Sequence, residues 1–67
     1  MPVTVTDTQR RVLEAVRAGD DTAALVARRV RTDTDTASLI LYDLASRGCV
    51  AHDLGWRLLP KGARALA

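Results

Sequence analysis

Arg28, Arg29 and Arg31 fall within four positions of one another. Guanidinium forks match phosphate oxygens, so this spacing makes a candidate phosphate patch. The competing use is a solvated helix end whose cations complement the helix dipole. Thr34, Thr36 and Ser38 follow at once. Their hydroxyls lie at the start of a helix, whose backbone N–H groups also favour a phosphate, so contacts to backbone or bases are one use for them. Capping and solvation are the other. Cys49 and His52 have the spacing of half a metal site. Positions i and i+3 of a strand point to opposite faces, however, and no second Cys or His completes a shell. The single His has no nucleophile and acid arranged around it, and there is no glycine-rich phosphate loop. The chemistry expected is therefore recognition without catalysis, metal or cofactor.

The elements that must position these side chains come from a chain of 67 residues. That length makes one domain, spanning 1–67, near the lower size at which a single core outweighs chain entropy. The apolar residues are chiefly Ala, Val and Leu with no Phe, which implies a compact aliphatic core. One cysteine leaves no internal disulfide framework. No signal peptide and no membrane span are expected, so the expected location is the cytoplasm. The net charge of +2 is too small to gather polyanions by itself, which makes the placement of the arginines matter more.

Residues 1–6 include alternating β-branched side chains and read as a short strand or an extended arm. Thr6 and Gln9 have the spacing of a capping box, which starts a first helix over about 7–18, with Val12, Leu13 and Val16 on one stripe and Gly19 ending it. Asp21 is the expected N-cap of a second helix running to about Arg31, with Ala23, Val26, Ala27 and Val30 on its inner face and Leu25 off it. Asp33 is the expected cap of a third helix over about 34–47. Ala37, Ile40, Leu41 and Leu44 share its inner side, and Asp35, Leu39, Tyr42, Asp43 and Ser46 its outer side. Arg47-Gly48 stops that helix. A hairpin is predicted over 49–59, with strands at Cys49–His52 and Trp56–Leu59 around a loop in which Gly55 takes a positive φ. Val50, Trp56 and Leu58 are expected to pack it onto the helices, because a lone ribbon is barely stable in water. A short helical turn, "PKGARALA", ends the chain.

Two helices joined by a tight turn and followed by a hairpin suggest a helix-turn-helix over 22–47 with a β-wing. The stretch "TAALVARRVRTDTDTASLILYDLASRGCV" resembles the helix-turn-helix of bacterial winged-helix regulators, and "WRLLPKGARAL" resembles the second wing strand and following turn of MarR-like members. Thr22, Ala27, Val30, Asp33, Ala37, Leu41 and Leu44 fit that pattern. So do Arg47, Gly48, Cys49 and Val50 at the helix-to-wing junction and Trp56, Leu58, Lys61 and Gly62 beyond it. The departures are in the third helix. Leu39, Tyr42 and Asp43 stand where such regulators often place Arg, Lys, Gln or Asn, and Asp35 adds a further acid.

The resemblance implies a fold that is mainly α with a small β-hairpin, a three-helix winged helix-turn-helix. It also implies a transcriptional regulator that binds double-stranded DNA, with a homodimer, formed through the N-terminal arm or terminal helices, reading paired half-sites. In that arrangement Arg28, Arg29, Arg31 and Arg57 contact phosphates, while Thr36, Ser38, Leu39 and Tyr42 face base edges, with Thr34 beside them. Asp35 and Asp43 discriminate, for example by accepting from cytosine N4. His52 lies on the wing, either solvated or touching a phosphate or groove. The rival expectation is a protein-interaction module of the same fold, in which Leu25, Leu39 and Tyr42 bury against a protein partner or a second copy.

Overall fold

The computed structural model describes residues 5–67, so most of the expected N-terminal arm, residues 1–4, lies outside the described residues. The fold is mainly α with a small β-hairpin. In chain order it runs α1 (Asp7–Arg17), α2 (Ala23–Val30), α3 (Thr34–Ser46), β1 (Val50–His52), β2 (Trp56–Leu58) and α4 (Pro60–Leu66).

The first capping box forms as its spacing requires. Gln9 N–H donates to Thr6 Oγ1 at 3.1 Å and Thr6 N–H to Gln9 Oε1 at 2.9 Å. Helix α1 buries Val12, Leu13, Ala15 and Val16 and ends one residue before the expected boundary, with Gly19 at φ +106° making the turn.

Helix α2 departs from expectation at both ends. Its cap is Thr22, whose hydroxyl accepts from Leu25 N–H at 3.2 Å, and not Asp21. Asp21 is drawn to the hairpin instead, where its carbonyl accepts from Trp56 N–H at 2.8 Å. The helix stops at Val30. Arg31 adopts the left-handed region at φ 61° and is the sole non-glycine to do so among the described residues. A side chain there carries a steric cost, offset by the tight turn it permits into α3.

Asp33 caps α3 as predicted, accepting from Thr36 N–H at 2.6 Å. Ala37, Leu41 and Leu44 are buried, and half-buried Ile40 packs against them. The helix ends at Ser46, with Arg47 as its cap and Gly48 at φ +78°.

The hairpin pairs antiparallel, Val50 opposite Leu58, Ala51 opposite Arg57 and His52 opposite Trp56. Each strand is one residue shorter at its outer end than predicted, although Leu59 N–H still donates to Cys49 C=O at 3.0 Å. Gly55 is not in the positive-φ region. Space is tight there instead, because a Cβ would sit 3.1 Å from the Cβ of Asp21 and 3.2 Å from its carbonyl oxygen, and Asp21 would have to give by a few tenths of an ångström. The ribbon therefore does not jut freely from the body. Its tip is fastened to the α1–α2 loop.

The terminal turn is a full fourth helix of seven residues, so the fold has one helix more than the three expected. Pro60 opens it at a position where a missing N–H costs nothing. Gly62 then lets the helix lie against the hairpin junction, since a Cβ would fall 2.3 Å from the Cys49 carbonyl oxygen. At its other end Arg10 of α1 donates to the carbonyls of Ala65 at 3.4 Å and Leu66 at 3.1 Å, placing positive charge on the negative end of the dipole. The core between these elements is aliphatic, led by Leu13, Leu41, Leu44, Val12, Val26 and Val50, with Cys49 inside it and no buried polar or charged residue among those described.

Candidate functional site

Helices α2 and α3 pack together through a turn of three residues, Arg31 to Asp33, and the outer side of α3 is open. Leu39 is 72% and Tyr42 58% exposed. Asp35, Asp43 and Ser46 share that exposed side, as does Thr36, whereas Thr34 is exposed as the first residue of the helix on the stripe of Ala37 and Leu41, and Ser38 is half-buried. The side-chain periodicity of α3 alone dictates this division. Three inner positions are fully covered, so the residues half a turn away face out.

The arginine patch divides into two kinds. Arg29 is held by Asp20: its Nε donates to one carboxylate oxygen and its Nη2 to the other at 3.3 Å. Hydrogen bonding to Asp20, reinforced by its charge, raises the Arg29 pKa above the ordinary value. Arg28 and Arg31 are exposed and have no carboxylate within ion-pair distance among the described residues. Leu25, Arg28, Arg29 and Asp20 line a shallow, open depression on the outer face of α2.

Two further residues are paired where free groups are expected. Asp43 is not a free outward carboxylate. It accepts from Gln9 Nε2 of α1 at 3.1 Å and lies 3.4 Å from the Arg47 Nε, which ties the C-terminal half of α3 to α1. Arg57 on the hairpin is likewise paired, with its Nε donating to Asp53 at 3.1 Å. Asp53 also accepts from Leu54 N–H at 2.6 Å, which is the main reason its pKa is lowered, with Arg57 contributing less. The Asp33 pKa is lowered by the Thr36 amide it caps.

His52 is exposed but does not stand alone in solvent. Its imidazole stacks on the buried Trp56 indole, with ring centroids 4.3 Å apart and planes 11° apart. Tyr42 meets both rings edge-on, at 5.1 Å from Trp56 and 6.2 Å from His52. The outward Tyr42 of α3 thus leans on the hairpin, and three aromatic rings join helix to ribbon. The two edge-to-face contacts of Tyr42 are mutually favourable because the positive ring edge meets the negative face.

Sequence reasoning does not assemble this cluster. The three-residue loop Asp53-Leu54-Gly55 carries the signal for it, since that loop places His52 opposite Trp56 on one face of the hairpin. Leu54 at the tip is a further residue outside the sequence-based set, and it is fully exposed. No helix of the described residues is long and apolar enough to cross a membrane, and no cluster of three metal-ligating side chains occurs among them. Comparison with protein-family models and with curated proteins finds no match for the chain.

Proposed function

We propose that this chain is a small winged-helix DNA-binding protein, a cytoplasmic transcriptional regulator of the MarR-like kind, with α3 inserted into the major groove. The observation that carries this reading is the open outer side of α3, together with Arg28 and Arg31, which have no carboxylate partner among the described residues. A single α-helix fits the major groove, where base edges present a readable pattern. Arg28 and Arg31 fix register on phosphates. Arg29 and Arg57 join them by exchanging Asp20 and Asp53 for phosphate oxygens. Leu39 packs on a thymine methyl group, Thr34 and Thr36 donate hydroxyls, and the exposed edge of Ser38 reaches the same side. Tyr42, braced by Trp56 and His52, presents its remaining surface to bases, and Asp35 accepts from cytosine N4. With its tip fastened to the α1–α2 loop, the hairpin supplies few contacts of its own, and dimers reading paired half-sites fit the reading.

The test is selection from a random duplex pool, followed by affinity measurements across a salt series. The expected outcome is an enriched sequence and a log affinity that falls linearly with log salt, by about 0.9 for each phosphate neutralised. Absence of both ends the reading.

The exposure of Leu39, Leu25 and Leu54 favours a second reading, a protein-interaction module. Its signature is concentration-dependent self-association, or capture of a defined partner, abolished by Leu39→Asp, with no duplex binding at low salt.

A further inference from the structure

The charges of this chain are unevenly divided between its elements. Helices α1 and α4 carry Arg10, Arg11, Arg17, Lys61 and Arg64 against Asp7 and Glu14, a net of +3. The remaining residues carry five arginines against six aspartates, a net of −1, which together account for the chain's +2. The pairing is just as uneven. Three of those five arginines, Arg29, Arg47 and Arg57, have an Asp partner. Among the described residues, none of the five cations on α1 and α4 has a carboxylate within ion-pair distance, and all five are exposed. Arg10 bridges the two helices by reaching the last carbonyls of α4, which sets that end of α4 beside α1.

We infer that the surface of α1 and α4 is a binding surface for the phosphodiester backbone of duplex nucleic acid, separate from the outer side of α3. Four of its five cations are arginine, whose planar donors suit phosphate oxygens better than a lysine point charge. Among the described residues that surface shows no exposed large apolar side chain, because Leu25, Leu39, Tyr42 and Leu54 all lie elsewhere. A protein partner bound mainly by burial, or a lipid surface entered by apolar side chains, has nothing to grip there. A polyanion needs only the unpaired charge. Backbone contacts of this kind carry no sequence information and raise affinity for all duplexes alike.

The test compares two variants of the full chain on duplex DNA across a salt series. In the first, Arg11→Gln, Arg17→Gln and Arg64→Gln remove three exposed charges. The slope of log affinity against log salt is expected to flatten by about 0.9 for each phosphate no longer neutralised, up to about 2.7, with the selected sequence unchanged. In the second, Arg28→Ala with Leu39→Ala removes groups of the α2–α3 side, and salt-sensitive binding without sequence preference is expected to persist. The single variants Arg17→Gln and Arg64→Gln carry the same test at smaller amplitude should the triple variant lose its helical circular dichroism. An unchanged slope and affinity in the charge-removal variants overturns the inference, as does a wild-type chain that binds no duplex at low salt. A wild type that binds without sequence preference, and loses that binding only when α1 and α4 are neutralised, supports the inference while ending the major-groove reading.

Discussion

His52 lies flat against Trp56, one residue directly opposite the other across the hairpin, and their rings are nearly parallel at 4.3 Å. The stack covers a buried indole with a side chain that is itself exposed. His52→Ala should therefore destabilise the fold by roughly 0.5 to 1.5 kcal/mol, towards the lower figure because solvent reaches the imidazole. His52→Phe should retain most of that. Trp56 is the only tryptophan, so the urea midpoint followed by its fluorescence measures both effects.

Gly62→Ala sets two effects of opposite sign against each other. Alanine is favoured over glycine inside a helix by about 1 kcal/mol. A Cβ at this site would stand 2.3 Å from a backbone oxygen and 2.8 Å from Leu58, far inside contact distance. Overpacking of that sort costs about 1 to 3 kcal/mol and needs α4 to shift away from the hairpin. The clash should win, and a net loss of stability is expected by thermal or urea unfolding.

Asp33 and Asp53 both have pKa values lowered in the folded state, each chiefly by a backbone N–H it accepts from. A carboxylate lowered in this way stabilises the fold fully above its unfolded pKa of about 4, and that contribution disappears as pH falls through the lower folded value. Tm should be level through the weakly acidic range and drop below about pH 4. Asp33→Asn keeps a competent cap but cannot titrate, so its Tm should fall less over the same interval.

Arg28 and Arg29 are neighbours on the outer face of α2, yet one is free of carboxylates and the other is clasped by Asp20. On the proposed DNA-binding reading, Arg28 offers its charge without first giving up a partner. Arg28→Ala should weaken every duplex alike and flatten the salt slope by about 0.9. Arg29→Ala should have a smaller effect, and Asp20→Asn, which releases Arg29, should tighten binding. Changes at Leu39 should alter which sequence is preferred, by about 1 to 3 kcal/mol at the affected base pair.

The helices are legible in the sequence because their signals are local. Thr6 with Gln9 and Asp33 before an amphipathic run specify where α1 and α3 begin through neighbours three residues away. The inner face of α3 follows from spacing alone. Asp21 misleads because a cap competes with long-range contacts, and its carbonyl is claimed by Trp56, which no local pattern reveals. Gly55 reads as a turn residue and Gly62 as a fit to the family pattern, whereas Asp21 approaches the first closely and the Cys49 carbonyl leaves no room for a side chain at the second. The site is partly legible for the same reason. The outward residues of α3 follow from helical periodicity, but the pairing of Arg29 with Asp20 and of Asp43 with Gln9 depends on which side chains the fold brings within reach.

The hydrogen bond from Trp56 to Asp21 joins two residues far apart in sequence, one just after α1 and the other opening β2. Neither can let go without parting the first loop from the ribbon. That amide should exchange its proton for deuterium only when the whole molecule opens, in step with the innermost amides of α3 rather than with the rest of the hairpin. The smallest element of the fold is thereby made a latch on the cooperative unit.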